Sequence, residues 1–245
     1  MNLLNVTEHR PFPLPSKRWI MRQSWKNIAF FHWPTSPNLL RSWVPSSLEI
    51  DTFHGHAWVS LVVFDMENIH LRGIPSHSLT PAFSEVNLRT YVIYNGIPGV
   101  YFLSIDVDNW ASSKIAKRWF RLPYHDASIS IEPSQHSYHF ECIRNGQTNI
   151  KGEGSITPLR DIYAADRGSL DYWLMERYRM YCTDKRSNLF KTDIHHQPWE
   201  LQKAESEIHR NTLLEKWNIG VKENYPAVSH FSKKLDTLFW NIKSV

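Results

Sequence analysis

The stretch Glu85 to Tyr94 reads E-V-N-L-R-T-Y-V-I-Y and then turns on Asn95-Gly96. Strand side chains alternate between faces, so this spacing predicts a strand with Glu85, Asn87, Arg89 and Tyr91 on one side and Val86, Leu88, Thr90 and Val92 on the other. Asn and Gly accept positive φ, so Asn95-Gly96 predicts a hairpin into a second run, Val100 to Asp108. The same pattern recurs at Trp25 to Trp33, Ala57 to Met66, Ser128 to Glu132, Ser137 to Arg144 and Thr148 to Thr157, the last two around Asn145-Gly146. His195 to Lys203 and Lys234 to Trp240 are later strand candidates. Helical spacing is rarer: Pro37 to Trp43 after Ser36, Trp110 to Phe120 after Asn109, Leu170 to Tyr181 after Ser169, and Thr212 to Trp217. Many antiparallel strands with few helices define an α+β, β-dominated class.

Composition narrows function mainly by exclusion. The 245 residues carry 28 Lys plus Arg against 24 Asp plus Glu, a net +4 that does not demand a nucleic-acid partner. The basic cluster Lys114, Lys117, Arg118 and Arg121 reads as a solvated helix face or a docking point for an acidic partner. Glycine numbers only 9, and neither G-x-G-x-x-G nor a P-loop occurs. There is no H-E-x-x-H, C-x-x-C or G-x-S-x-G, and two cysteines alone make no thiolate zinc site, so neither cofactor nor metal is expected. The longest apolar run, Trp58 to Phe64, falls far short of the ~20 residues of a membrane helix. A cytoplasmic protein with no membrane partner is expected. Pro11, Pro13 and Pro15 mark residues 1–16 as an extended arm, and 17–245 reads as one domain.

Three groups of residues carry chemistry. The Glu85, Asn87, Arg89, Tyr91 row either meets solvent or lines a cavity. In the second case a carboxylate, amide, guanidinium and phenol in series suit a small anion or carbonyl compound. On the next strand Phe102, Ser104 and Asp106 share a face, which brings another carboxylate nearby. Arg177 and Tyr178 fall on the apolar stripe of the Leu170 helix, where a guanidinium needs a carboxylate, Glu85 or Asp106, or a ligand. His195 and His196 are neighbours on a strand, so one faces inward and they do not share a metal.

Further residues carry a resemblance. Val44-Pro45-Ser46-Ser47-Leu48-Glu49-Ile50-Asp51 resembles the V-P-x-x-L-E-I-D turn of acetoacetate decarboxylase. Asn95-Gly96-Ile97-Pro98-Gly99-Val100-Tyr101 resembles that family's N-G-x-x-G-x-Y. The likeness covers roughly residues 25 to 130. Over nearly its full length the chain is similar to the YqjF-like family of bacterial proteins. That likeness rests on Phe31-His32-Trp33-Pro34, Glu85 to Val92, Arg121-Leu122-Pro123-Tyr124, Glu176-Arg177-Tyr178 and His196-Gln197-Pro198-Trp199. It implies an antiparallel sheet curled into a cone or barrel around a central cavity, with the Glu85 row facing inward.

Where the decarboxylase family has Y-P-K-K, this chain has Leu122-Pro123-Tyr124-His125. A phenol and an imidazole form no imine with a ketone, so acetoacetate chemistry through a Schiff base is not expected. The expectation is a small-molecule binding protein. The alternative is a lyase or hydrolase with His125, Tyr124 and Glu85 as acid, base and orienting group. In either case His32, Asn87, Arg89, Tyr91, Asp106, Arg177, Tyr178, His195 and His196 contact the ligand. A third reading is an interaction protein using the aromatic surface and the Pro-rich arm. Exposed strand edges allow a homodimer.

Overall fold

The computed structural model describes residues 3–74, 81–108, 122–184, 186–222 and 224–245. The Trp110 to Phe120 helix and its basic cluster lie outside the described residues. Thirteen strands follow in order: β1 (Met21–Thr35), β2 (Glu49–Ile50), β3 (Ala57–Leu71), β4 (Phe83–Tyr94), β5 (Ile97–Val107), β6 (Tyr124–Pro133), β7 (Tyr138–Arg144), β8 (Lys151–Pro158), β9 (Arg179–Thr183), β10 (Leu189–His195), β11 (Gln202–Asn211), β12 (Val228–Phe239) and β13 (Lys243–Ser244). Among the described residues there are three short α-helices, α1 (Pro37–Leu40), α2 (Leu170–Met175) and α3 (Thr212–Glu215), and a 3-10 turn at Leu3–Asn5. No helix among the described residues is long and apolar enough to cross a membrane.

The hairpin forms as its residues dictate. Asn95 (φ 49°) and Gly96 (φ 73°) both take positive φ, and Tyr94 pairs with Ile97. Successive pairings then close a nine-strand barrel, β4-β5-β6-β7-β8-β11-β12-β1-β3 and back to β4. Closure removes the unpaired edges that an open sheet of this size would present. A second circuit branches from the same wall, because β9 pairs with β5 and with β10, and β10 pairs with β12. Strands β12, β1, β3, β4 and β5 therefore belong to both rings.

This sharing explains the alternation. On the shared strands one set of side chains, Phe31, Trp33, Val59, Leu61, Val63, Val86 and Leu88, packs with Phe140, Cys142, Ile156 and Ile208 inside the nine-strand barrel. The other set, Phe30, Trp58, Val62, Phe64, Tyr91 and Phe102, packs with Met180, Ile194, Trp199 and Leu201 inside the second circuit. At the branch point the chains approach closely. A Cβ on Gly99 would stand 2.6 Å from the Arg179 carbonyl oxygen, so glycine is what lets β9 pair there.

Three elements differ from the sequence reading. The Leu170 helix ends at Met175, and Arg179–Thr183 is a strand. Its large side chains are buried between β5 and β10, and that pairing overrides the helical spacing. The run from His195 to Lys203 is not one strand: β10 ends at His195, and β11 begins at Gln202. Finally, Leu88 pairs with Ser104 but Arg89 with Phe102, so Leu103 is a bulge residue in β5. The bulge turns Asp106 away from Phe102 and into the barrel. There it accepts two hydrogen bonds from Arg144 at 2.7 and 2.8 Å.

Candidate functional site

The Glu85 row looks into the second circuit. Glu85, Asn87, Arg89 and Tyr91 are all buried, on the side of β4 that also carries the second core. Glu85 Oε1 accepts from Asn87 Nδ2 at 3.0 Å. Burial pushes the Glu85 carboxyl up to about 7, with the Asn87 hydrogen bond pulling the other way and Asp106 adding to the rise. Tyr124 packs on the same core, where burial and the nearby Glu85 charge raise its phenol well above the usual range. The structure thus brings Glu85 and Tyr124 together. His125 follows Tyr124 on β6, half-buried, with its backbone paired to Asp106; strand alternation turns it to the opposite face.

Tyr91 anchors the other end of the row. Its hydroxyl lies 2.6 Å from Ser60 Oγ, which lies 2.6 Å from His32 Nδ1. The His32 ring meets the His230 ring at 5.2 Å, and His230 Nε2 is 3.1 Å from Asp171 Oδ1. Asp171 also accepts from the Tyr163 hydroxyl at 2.8 Å. Its carboxyl titrates below the ordinary carboxylate range, held there first by the hydrogen bond with His230. Among the described residues no group of three His, Cys, Asp or Glu side chains is arranged to hold a metal ion.

Two guanidiniums complete the set. Arg177 does not pair with Glu85 or Asp106. It donates to Asp51 Oδ2 at 2.6 Å and lies over the rings of Tyr91 and Trp173 at 5.0 and 4.4 Å. The reason is placement: Asp51 follows β2 against β4, whereas Asp106 is held by Arg144 across the shared wall. Arg89, only 9% exposed, rests over Phe30 and Tyr91 at 5.6 and 6.0 Å. Among the described residues it has neither a hydrogen bond nor a carboxylate within ion-pair distance. Several buried polar atoms nearby are also without hydrogen-bond partners: His32 Nε2, Trp58 Nε1, Asn87 Oδ1, Arg89 Nε, Arg177 Nη2 and His230 Nδ1.

The remaining sequence candidates lie elsewhere. Tyr178 donates to Glu176, stacks on His196 at 4.5 Å and lies under Arg10. His195 is sealed by the N-terminal segment, with Leu3 O at 2.9 Å and Arg10 Nη1 at 3.2 Å. Arg10 is buried and donates to the Ile194 carbonyl at 2.7 Å, so the arm is docked on β10. Burial lowers His195 to about 4 and His196 to about 3. Both histidines are buried, His195 under the N-terminal segment and His196 against Tyr178 and Trp199. The sequence reading missed Ser60, Trp58, Asp51, Trp173 and His230. Ser60 carried a signal, being the one hydroxyl in the apolar run Trp58 to Phe64. The others needed contacts between distant segments.

The Glu85 carboxyl makes stability depend on pH. Its folded value exceeds its ordinary value of 4.5, so between pH 4.5 and 7 the fold holds a proton that the unfolded chain has released. The contribution is full below pH 4.5 and is lost as pH rises through about 7. Glu85→Gln removes this dependence and keeps an acceptor for Asn87. The variant is expected to gain on the wild type as pH rises from 4.5 to 7, by on the order of 3 kcal/mol. Urea unfolding of both proteins across this range checks it; parallel pH profiles would disprove the assignment.

Comparison with known proteins agrees with this architecture. "Uncharacterized protein YqjF" of Bacillus subtilis (strain 168) is 40% identical over 236 residues, covering 96% of this chain and 97% of that protein. The crystal structure of acetoacetate decarboxylase from Legionella pneumophila matches with a TM-score of 0.63 at 17% identity, covering 99% of this chain and 94% of that one. The enduracididine biosynthesis enzyme MppR, solved with pyruvate, matches with a TM-score of 0.63 at 12% identity over 94% and 91%. At these identities the solved structures share the fold, an acetoacetate decarboxylase-like barrel. The family model of DUF2071, described as an uncharacterized conserved protein, matches residues 22–236, and the chain belongs to that family.

Proposed function

We propose that this protein binds a small carboxylate or carbonyl compound inside the second circuit, against the β4 row, without forming an imine. The observation that carries the reading is Arg89. A buried guanidinium with no anion beside it is costly, and such a group persists where a ligand supplies the missing charge. Arg177 Nη2, His32 Nε2 and Trp58 Nε1 lie around the same aromatic wall with no partner among the described residues. Buried polar atoms are nearly always paired, so a cluster of exceptions marks a place where something else pairs them. That MppR was solved with pyruvate fits a small oxo acid. Among the described residues no lysine is buried, and Tyr124 and His125 stand where the decarboxylase resemblance places its lysines.

Thermal-shift measurements with pyruvate, other 2-oxo acids, aromatic acids and small phenols test this. A ligand at a hundred times its Kd adds about 2.7 kcal/mol, a rise of roughly 5–10 °C for a domain of this size. Borohydride added with pyruvate is expected to leave the protein mass unchanged. No stabilisation by any of these compounds would end the reading, and a covalent adduct would replace it with imine chemistry.

One observation favours a catalytic alternative, a lyase or hydrolase acting on such a compound. A carboxyl that titrates at about 7 is suited to give and take protons near neutral pH. In that reading Glu85 and Tyr124 do the proton work, and His125, turned to the opposite face of β6, stands outside the site. Turnover that survives Glu85→Ala would exclude it.

A further inference from the structure

Ser60 sits between two groups whose protons must be placed. Its Oγ is 2.6 Å from His32 Nδ1 and 2.6 Å from the Tyr91 hydroxyl, and all three residues are completely buried. A serine hydroxyl has one proton to give. Tyr91 also has one, and Ser60 is its hydrogen-bond partner among the described residues. If His32 donated from Nδ1, Ser60 would donate to Tyr91, and the phenol proton would be stranded. If Ser60 instead accepted from both neighbours, its own proton would be stranded. Two hydrogen bonds hold two of the three protons, so each arrangement leaves one without an acceptor among the described residues; when Tyr91 donates to Ser60 and Ser60 donates to His32 Nδ1, the one left over is the His32 ring proton, on the side where Arg89 lies. In a neutral imidazole whose Nδ1 accepts, the ring proton is on Nε2.

The surroundings keep the ring neutral. Burial, with His230 and Arg89 close by, holds His32 well below the ordinary histidine range. Nε2 is buried and has no acceptor among the described residues. It therefore joins Arg89 Nε, Arg177 Nη2 and Trp58 Nε1, three other N–H donors without an acceptor. A set made almost wholly of donors suits a ligand rich in acceptor oxygens.

We propose that Tyr91 and Ser60 lock His32 as the Nε2–H tautomer, a neutral hydrogen-bond donor to an unprotonated ligand oxygen, the oxo oxygen of a 2-oxo acid whose carboxylate meets Arg89. This rests on the binding reading above, which supplies both the ligand and the acceptor for the Nε2 proton. His32 contacts the ligand; Ser60 and Tyr91 are positioning residues. The role uses two properties at once. A neutral donor adds no third cation beside Arg89 and Arg177, and a fixed tautomer costs no rearrangement when ligand arrives.

Nitrogen-15 NMR of the full chain with labelled histidine tests it, with His32→Gln identifying the His32 signals. In the wild type at pH 7, Nδ1 is expected to show the shift of an unprotonated nitrogen and Nε2 that of an N–H. Tyr91→Phe frees Ser60 to accept, and the His32 signals are expected to move toward a mixture of tautomers; Ser60→Ala is expected to do the same. Arg89→Met is expected to leave the tautomer as it is. An Nδ1–H ring in the wild type, or an imidazolium at pH 7, overturns the proposal without need of any variant. With pyruvate as probe, His32→Leu is expected to weaken binding at least about tenfold. His32→Gln, which offers an amide donor, should stay within about threefold of wild type. Equal loss in both variants overturns the donor role. The expected tautomer with no response to any 2-oxo acid leaves the tautomer standing and removes the ligand half.

Discussion

Arg144→Met is expected to lower folding stability by about 3–5 kcal/mol, a large share of the ~5–15 kcal/mol of a typical domain. The pair it breaks is sealed: the side chains of Arg144 and Asp106 are 2% and 1% exposed, and the two hydrogen bonds between them are short. Losing the cation leaves a carboxylate in the apolar interior of the barrel, close to Phe140 and Cys142 on β7. The double change Arg144→Met with Asp106→Leu removes both charges and is expected to recover most of the loss, because a buried pair replaced by hydrocarbon of similar volume is often neutral. Denaturant unfolding of wild type, single and double variants measures this. A single-variant loss under about 1 kcal/mol would mean that water reaches Asp106.

Arg89→Met is expected to act in the opposite sense on the fold and far more strongly on binding. No carboxylate among the described residues lies within ion-pair distance of Arg89, so methionine removes a buried charge without a direct partner and keeps contacts with Phe30 and Tyr91. The ligand-free variant should be more stable by about 1–4 kcal/mol. Its affinity for a 2-oxo acid should fall by roughly a hundredfold or more, since truncating one partner of a buried charge pair costs about 2–5 kcal/mol. This is the exchange of stability for function expected of a residue kept for its ligand. A variant that is less stable and still binds would place Arg89 among the structural residues.

The β4 row shows how far reading the sequence could go. The spacing of Glu85, Asn87, Arg89 and Tyr91 put them on one face, and the Asn95-Gly96 turn set the register with β5. The direction of that face was not legible, because a half-solvated strand and a strand between two interiors show the same alternation. Here Val86 and Leu88 fill one ring while Glu85 and Arg89 enter the other. The resemblance, not the periodicity, pointed the row inward. Arg177 was rightly read as needing an anion, but its partner Asp51 lies 126 residues away and no local pattern joins them. Asp106 was misplaced by the bulge at Leu103, which breaks the period of two without an unusual residue to announce it. Trp173 and Tyr178 looked like one helical stripe, yet a turn at Glu176 sends them to different clusters. His195 and His196 are occupied by a segment nearly two hundred residues earlier, contacts that no spacing rule reports.

The wall common to both rings has a consequence for how this chain tolerates change. Deleting a single residue from the middle of β4 would not merely shift a strand. It would send guanidinium and carboxylate into the hydrocarbon of one chamber and push valine and leucine into the other, so the error is penalised twice. Natural length variation should accordingly be confined to the connections, while the shared ribbons keep a constant residue count.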